Sequence, residues 1–342
     1  MGIFVSSFLF SLVLNFCVIF LARKFRFFID SEASDKPQRF HTLPTPRAGG
    51  IGIFAPFFFA LLLLFFHHPS PLILGFVIGG SVIFVSGVIE DFNASLSPRL
   101  RLLLQCMGAG LFVWLSQCYL SDLGFGISLP SYIGIPFSIF AIVGIINAIN
   151  IIDGFNGLAS GVALLALGCI YAILPSSSMS FVILVLMASI LGFFILNFPW
   201  GKIFLGDGGA YFLGFVLAGI LIYATQDPYG GKGEISPWFG IALLIYPFWE
   251  VIFSIYRKKI VRGRSPFKPD RFHLHMLTFR HITHKNPLTS IIIFLVVSPF
   301  MLVASFFKTN DLLLLLVSIV FIACYLSIYY WLINFSRKRS KT

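Results

Sequence analysis

Charge is scarce in this chain. Asp, Glu, Lys and Arg make up 11% of its 342 residues, against 58% hydrophobic residues, and mean hydropathy is +0.95. That balance excludes a soluble globular enzyme and leaves no room for a large water-facing domain. Acids are the rarer charge, 13 against 24 Lys and Arg. Cysteine is rare too. Cys17, Cys106, Cys118, Cys169 and Cys324 each sit in or beside apolar sequence, and none forms a CxxC pair. They read as small core side chains, with neither a disulfide framework nor a zinc site among them. No HExxH pattern occurs, which removes the commonest zinc-protease signature as well.

What the chain has in abundance is long apolar runs. Eleven of them read as transmembrane helices, at roughly 3–22, 49–66, 72–89, 102–120, 133–150, 157–174, 178–196, 204–224, 238–256, 288–307 and 312–334. They consume most of the sequence, so the expected fold is an all-α integral membrane protein, one polytopic domain over 1–342 with no internal repeat. The first run has no positive segment before it and is followed by Arg23, Lys24 and Arg26. It is expected to be a retained helix, not a cleaved signal peptide.

The net charge of +11 suggests nucleic acid until its distribution is read. With the N-terminus outside, every Lys and Arg except Lys232 and Lys308 falls in an inside loop or the C-terminal tail. That asymmetry predicts an outside N-terminus and a cytoplasmic C-terminus, and it assigns most of the cations to orientation and contact with the lipid bilayer, with no role for nucleic acid. The inside loops are expected near 23–48, 90–101, 150–157, 197–207 and 257–287.

An ionisable group at membrane depth costs on the order of 3 kcal/mol or more, so each one needs a partner or a task. Glu90, Asp91, Asp153, Asp207 and Glu250 are placed that way, and the first four come at helix ends on one membrane face. Glu90 and Asp91 are adjacent in GVIEDFN, about 100° apart around a helix, so both can line one cavity. Such a pair suits a divalent metal, or base work by one carboxylate while its neighbour stays ionised; a plain solvated helix end is the alternative. In NAINIIDGFNGLASG, 147–161, Asn147, Asn150 and Asp153 recur every three residues and form a polar stripe that runs into a Gly-rich turn. Amides left free in that turn could receive an anion; the alternative is Asn serving as interhelical glue. In FLGDGGAYFLGF, 204–215, Asp207 sits among Gly206, Gly208 and Gly209 where a helix begins. Small residues there let a backbone, a metal or a phosphate approach, and a helix N-terminus favours an anion, although a capping Asp fits equally.

Two basic inside loops complete the set. One holds Lys36, Arg39, His41 and Arg47; the other holds Arg257, Arg262, Arg264, Arg271 and Arg280 with His273, His275, His281 and His284. Guanidinium groups suit phosphates because they bond bidentately. His273 and His275 alternate as ligands or bases on an extended segment would, whereas His281 and His284 read as loop residues. Carboxylates for Mg²⁺, glycine turns and basic loops on one face are equipment for binding a diphosphate beside a lipid. The chemistry suggested is phosphoryl transfer between a soluble nucleotide compound and a lipid phosphate.

These motifs resemble those of the polyprenyl-phosphate N-acetylhexosamine-1-phosphate transferases. The likeness runs from about residue 35 to 285 and covers DKPxxRxH with its following GG, the acidic pair after GVI, NxxNxxDGxxGL, LGDxGxxxLG and the HxH loop, in the family's order. It implies transfer of a sugar 1-phosphate from a UDP-N-acetylhexosamine to undecaprenyl phosphate, with release of UMP, as the first membrane step of O-antigen or other cell-envelope polysaccharide synthesis. It implies Mg²⁺ or Mn²⁺, held by Asp207 with Asp91, and a bacterial cytoplasmic (inner) membrane with the active site facing the cytoplasm. By the same resemblance the acidic pair deprotonates or orients the lipid phosphate, Asp153 with Asn147, Asn150 and Asn156 faces nucleotide or metal, and His273 and His275 contact the diphosphate or sugar. Lys36, Arg39, His41, Arg264 and Arg271 join the substrate-binding set, and a homodimer is compatible with the family. Three positions depart from the pattern: Glu90 where Asp is usual, Asn156 where a second Asp is frequent, and Met276 where the last His belongs. A secondary transporter would also bury acids and break helices with Gly, but its acids belong near the midplane and its halves repeat. An intramembrane aspartyl protease would need GxGD, and Phe204-Leu205-Gly206-Asp207 lacks the first Gly.

Overall fold

A computed structural model of the chain describes residues 2–25, 28, 45–93, 96–174, 179–226, 235–265 and 271–339. Each apolar run has become a helix. In chain order they are α1 (Gly2–Phe25), α2 (Gly49–His67), α3 (Pro71–Asn93), α4 (Pro98–Ser116), α5 (Ser131–Ile152), α6 (Leu158–Ile173), α7 (Ser180–Asn197), α8 (Gly206–Thr225), α9 (Pro237–Leu243), α10 (Ile245–Tyr256), α11 (Leu274–Thr278), α12 (Asn286–Phe306) and α13 (Asp311–Arg339). Single π-helical turns follow α10 and α11, at Arg257–Val261 and Phe279–Thr283.

Among the described residues, eight helices are long and apolar enough to cross a membrane, and nine if α9 and α10 count as one span. Three of the eleven expected runs differ from a long, uninterrupted apolar helix. The ninth run is broken at Leu244, where α9 and α10 bend by 78°. The sixth run gives a helix of 16 residues, about 24 Å long at 1.5 Å per residue, short of a full bilayer core. The fourth run begins within polar sequence: Ser97 Oγ accepts the Leu100 N–H at 3.3 Å and Pro98 opens the first turn, which brings Arg99, Arg101 and Gln105 inside α4.

The bundle is organised around α8. Of its apolar window 89% is buried inside the protein, against 28% for α1 and α13. α2, α3 and α5 pack along it. Its cytoplasm-expected end makes an unusually close crossing. A Cβ added at Gly50 would lie 2.4 Å from the Gly209 nitrogen, and one at Gly87 2.5 Å from both N and Cα of Gly208. Just beneath, Phe54 stacks on Phe84 with centroids 4.0 Å apart, and Phe212 meets Phe54 and Phe57 edge-on. These rings floor the crossing with apolar area. At the opposite end of α8, the Gln226 side chain accepts the Ser121 and Asp122 N–H groups, and a small turn pairs Asp122 with Ser128. Outer helices expose large apolar side chains such as Phe20, Phe140 and Leu295, the surface that a lipid environment solvates.

Candidate active site

The site is built where α8 starts. The segment before α2 runs alongside the segment before α8: Phe204 N–H donates to Pro46 O at 2.8 Å, Gly49 N–H to Phe204 O and Gly50 N–H to Leu205 O, both at 2.9 Å. That ladder brings Arg47 beside Phe204. Gly206 follows with φ +77, a left-handed conformation, and a side chain there would sit 2.6 Å from Asp91 Oδ2. The N–H groups of Asp207 and Gly208 then donate to Asp91 Oδ1 and Oδ2, at 2.8 and 2.9 Å. Asp91, at the end of α3, thus caps α8 from a neighbouring helix, supplying the acceptors and negative charge that a helix N-terminus lacks.

Two expectations meet a protein group in place. Asp91, expected to hold a metal with Asp207, accepts one α8 amide on each of its oxygens. The N-terminus of α8 was expected to favour a bound phosphate; the protein's own carboxylate fills it. The Gly-rich turn after α5 turns out the same way. Asn156 N–H donates to Asn286 Oδ1 at 2.6 Å, Gly157 N–H to Asn197 Oδ1, and the Asp153, Gly154 and Leu158 amides to carbonyls within the turn. Asn156 also donates its side-chain amide to Pro199 O at 3.0 Å, and its carbonyl accepts the Ser290 hydroxyl. Asn156 is a buried knot between the turn, the 197–203 loop and α12. Asn147 donates to Gln105 Oε1 of α4 at 2.9 Å, the interhelical role that was the alternative for it. Asn150 alone of the three has a side-chain amide with no hydrogen bond among the described residues.

What converges on Asp207 is charge. Asp91, Asp153 and Arg101 all lie within electrostatic reach of it, and Arg47 reaches both Asp91 and Asp153. Arg101 pairs with Glu90 at 3.6 Å, beside the Tyr211 hydroxyl of α8, and Glu90 also accepts the Leu96 N–H. Asp153 caps the C-terminal end of α5. Burial pushes its carboxyl up to about 7; Arg47 draws it down and Asp207 raises it again. Among the described residues no three His, Cys, Asp or Glu side chains converge to cage a metal. A site that offers one or two carboxylates suits Mg²⁺, which completes its shell with water and substrate phosphate. Asp207 and Asp153, neither carboxylate hydrogen-bonded among the described residues, are the pair that fits.

The HxH segment sits differently from expectation. His273 and His275 are buried, their rings stacked 5.5 Å apart and nearly parallel. Burial pushes His275 down to about 3, so it stays neutral at physiological pH. Met276 is 1% exposed and packs in the core, so the departure there does not line the site. Arg264 and Arg271 are exposed on either side of the segment. Lys36, Arg39 and His41 lie outside the described residues. Sequence reasoning placed Arg47 in a basic loop but not among the substrate-binding residues, and left Arg101 out. The signal for Arg101 was present in Ser97-Pro98, a helix start that places Arg101 one turn in.

Residues 73–225, from α3 to α8, match glycosyl transferase family 4. That stretch contains Glu90, Asp91, Arg101, Asp153 and Asp207. The undecaprenyl-phosphate alpha-N-acetylglucosaminyl 1-phosphate transferase of Salmonella typhi is 30% identical over 289 residues, 81% of this chain and 75% of the relative. The transferase of the same name from Yersinia pestis is 30% identical over 77% of this chain and 73% of the relative. That of Thermotoga maritima is 29% identical over 74% and 75%. With that coverage, and with the acids and arginines of the matched stretch brought to one end of a membrane bundle, the chain belongs to glycosyl transferase family 4.

Proposed function

We propose that this protein transfers an N-acetylhexosamine 1-phosphate from a UDP-sugar to undecaprenyl phosphate, releasing UMP, at the cytoplasmic face of a bacterial inner membrane. The observation that carries the reading is the convergence of Asp207 and Asp153 with Arg47 and Arg101 at one end of the bundle. Both backbone anion sites there are already filled by protein groups. Phosphate binding therefore falls to guanidinium groups and a metal, as a diphosphate donor and a phosphate acceptor require. Mg²⁺ or Mn²⁺, held by Asp207 with Asp153, would supply positive charge against the diphosphate. Arg101, tethered by Glu90, is placed to orient the lipid phosphate, and Arg47 to neutralise the donor. A lipid phosphate oxygen forms a bond to the sugar-bearing phosphorus. The bond from that phosphorus to the bridging oxygen breaks, and UMP leaves with that oxygen. The sugar is for experiment to choose. The first place for the product is at the head of O-antigen or another envelope polysaccharide.

The test is UMP release by purified protein in detergent with undecaprenyl phosphate, Mg²⁺ and a panel of UDP-N-acetylhexosamines. Lipid-dependent, metal-dependent release with one donor is expected, falling about 10²–10³-fold or more in Asp207→Asn. Folded protein that releases no UMP with any donor would overturn the proposal and return attention to transport.

A further inference from the structure

Glu250 is wholly buried in α10, within an apolar span, and nothing in the reaction scheme uses it. A carboxylate at that depth needs a reason. Its two oxygens are spent on consecutive residues of the HxH segment: His273 Nδ1 lies 2.8 Å from Oε2, and the Leu274 N–H donates to Oε1 at 2.9 Å. His275 Nδ1 is 4.0 Å from Oε1 and hydrogen-bonds the Tyr246 hydroxyl at 2.9 Å. Tyr246 lies one turn before Glu250 on the same helix face. One face of α10 therefore grips residues 273, 274 and 275 in succession. The His275 ring in turn rests edge-on against Phe155, at 5.4 Å, in the turn that carries Asp153.

We infer that Glu250 is a positioning residue for the donor half of the site. A carboxylate only accepts, so the bond to Glu250 puts the His273 proton on Nδ1 and fixes the ring's tautomer and tilt. Through His273 and Leu274 it holds the HxH segment against Phe155, and so sets where Asp153 meets the nucleotide sugar. Glu250 touches no substrate. The inference rests on the transferase reading for its functional half and on geometry alone for its structural half.

Two measurements separate the halves. The first is hydrogen–deuterium exchange of the full-length protein in detergent, followed by mass spectrometry. Peptides spanning 272–279 should exchange at least tenfold faster in Glu250→Gln and Glu250→Ala than in wild type, with α8 peptides unchanged. Unchanged protection at 272–279 would sink the positioning role whether or not the protein is a transferase. The second is kinetic. Glu250→Gln should raise the KM for the UDP-sugar about 10–100-fold and leave the KM for undecaprenyl phosphate unchanged, with Glu250→Asp recovering part of the loss. In a His273→Ala background, Glu250→Gln should add almost nothing. An equal loss in both backgrounds, or equal movement of both KM values, would overturn the inference while leaving the transferase reading intact. If the glutamine variant unfolds, His273→Ala tests the same coupling from the other side and should likewise raise only the donor KM. Absence of UMP release by wild type would instead be a failure of the transferase reading, and exchange would still decide the role of Glu250.

Discussion

At the scale of single residues, one carboxylate has a role that its neighbours in sequence do not reveal. Glu90 and Asp91 read alike as a pair, yet Glu90 meets Arg101 whereas Asp91 accepts two amides of α8. Asp91→Asn turns one acceptor into a donor facing an N–H group, which should cost about 1–3 kcal/mol and displace Asp207. Thermal unfolding in detergent should show Asp91→Asn well below Glu90→Gln, with transfer activity lost in the former even where it folds. Asp153 offers a pH test. Its folded value of about 7 stands above the unfolded value of about 3.9, so the folded state holds the extra proton between those limits. Stability of the metal-free protein should fall as pH rises through that window, and the full penalty should be present above pH 7. Asp153→Asn should therefore unfold at higher temperature than wild type at pH 7.5, by the equivalent of about 1–3 kcal/mol, and no differently near pH 4. Added Mg²⁺ should narrow the gap. All four membrane-face acids were legible as a set from their residue type and depth. Their separate tasks were not, because capping between helices depends on which backbone happens to lie opposite.

At the scale of elements, glycines decide how α2, α3 and α8 meet. The sequence shows GDGG as a small-residue site open to a backbone, a metal or a phosphate; the structure puts the backbone of α2 and α3 against Gly209 and Gly208. Gly87→Ala would drive a methyl into the Gly208 backbone, which cannot step aside as a side chain can. It should destabilise by about 1–3 kcal/mol or more and reduce activity by moving Asp207. Gly144→Ala, on α5 with open space around its Cα, is the control and should be neutral or slightly stabilising. Differential unfolding of the pair, with transfer rates, checks this. Apolar run length located every long helix, since burial in lipid is a property of local composition. It missed the break at Leu244, which Pro247 signals: a proline there has no N–H for the Leu243 carbonyl and its ring crowds that group. It missed the short α11 because the start of that helix is held by a tertiary partner, Glu250.

At the scale of the whole molecule, the charge asymmetry makes a claim about orientation. Ser128 and Lys202 are both exposed and lie towards opposite ends of the bundle. In a background with the five cysteines replaced, Ser128→Cys should react with an impermeant maleimide on intact cells, and Lys202→Cys only after the membrane is opened. The reverse pattern would place the acids outside and end the transferase reading. The enclosure of α8 has a further consequence, for synthesis. Its mean hydropathy, 1.7, is the lowest of the eight spanning helices, so it has the weakest claim of its own on the bilayer. α2, α3, α5 and α6, which surround it, all leave the ribosome first. The helix that carries Asp207 is thus made after the neighbours that enclose it, and its entry into the bilayer should depend on them.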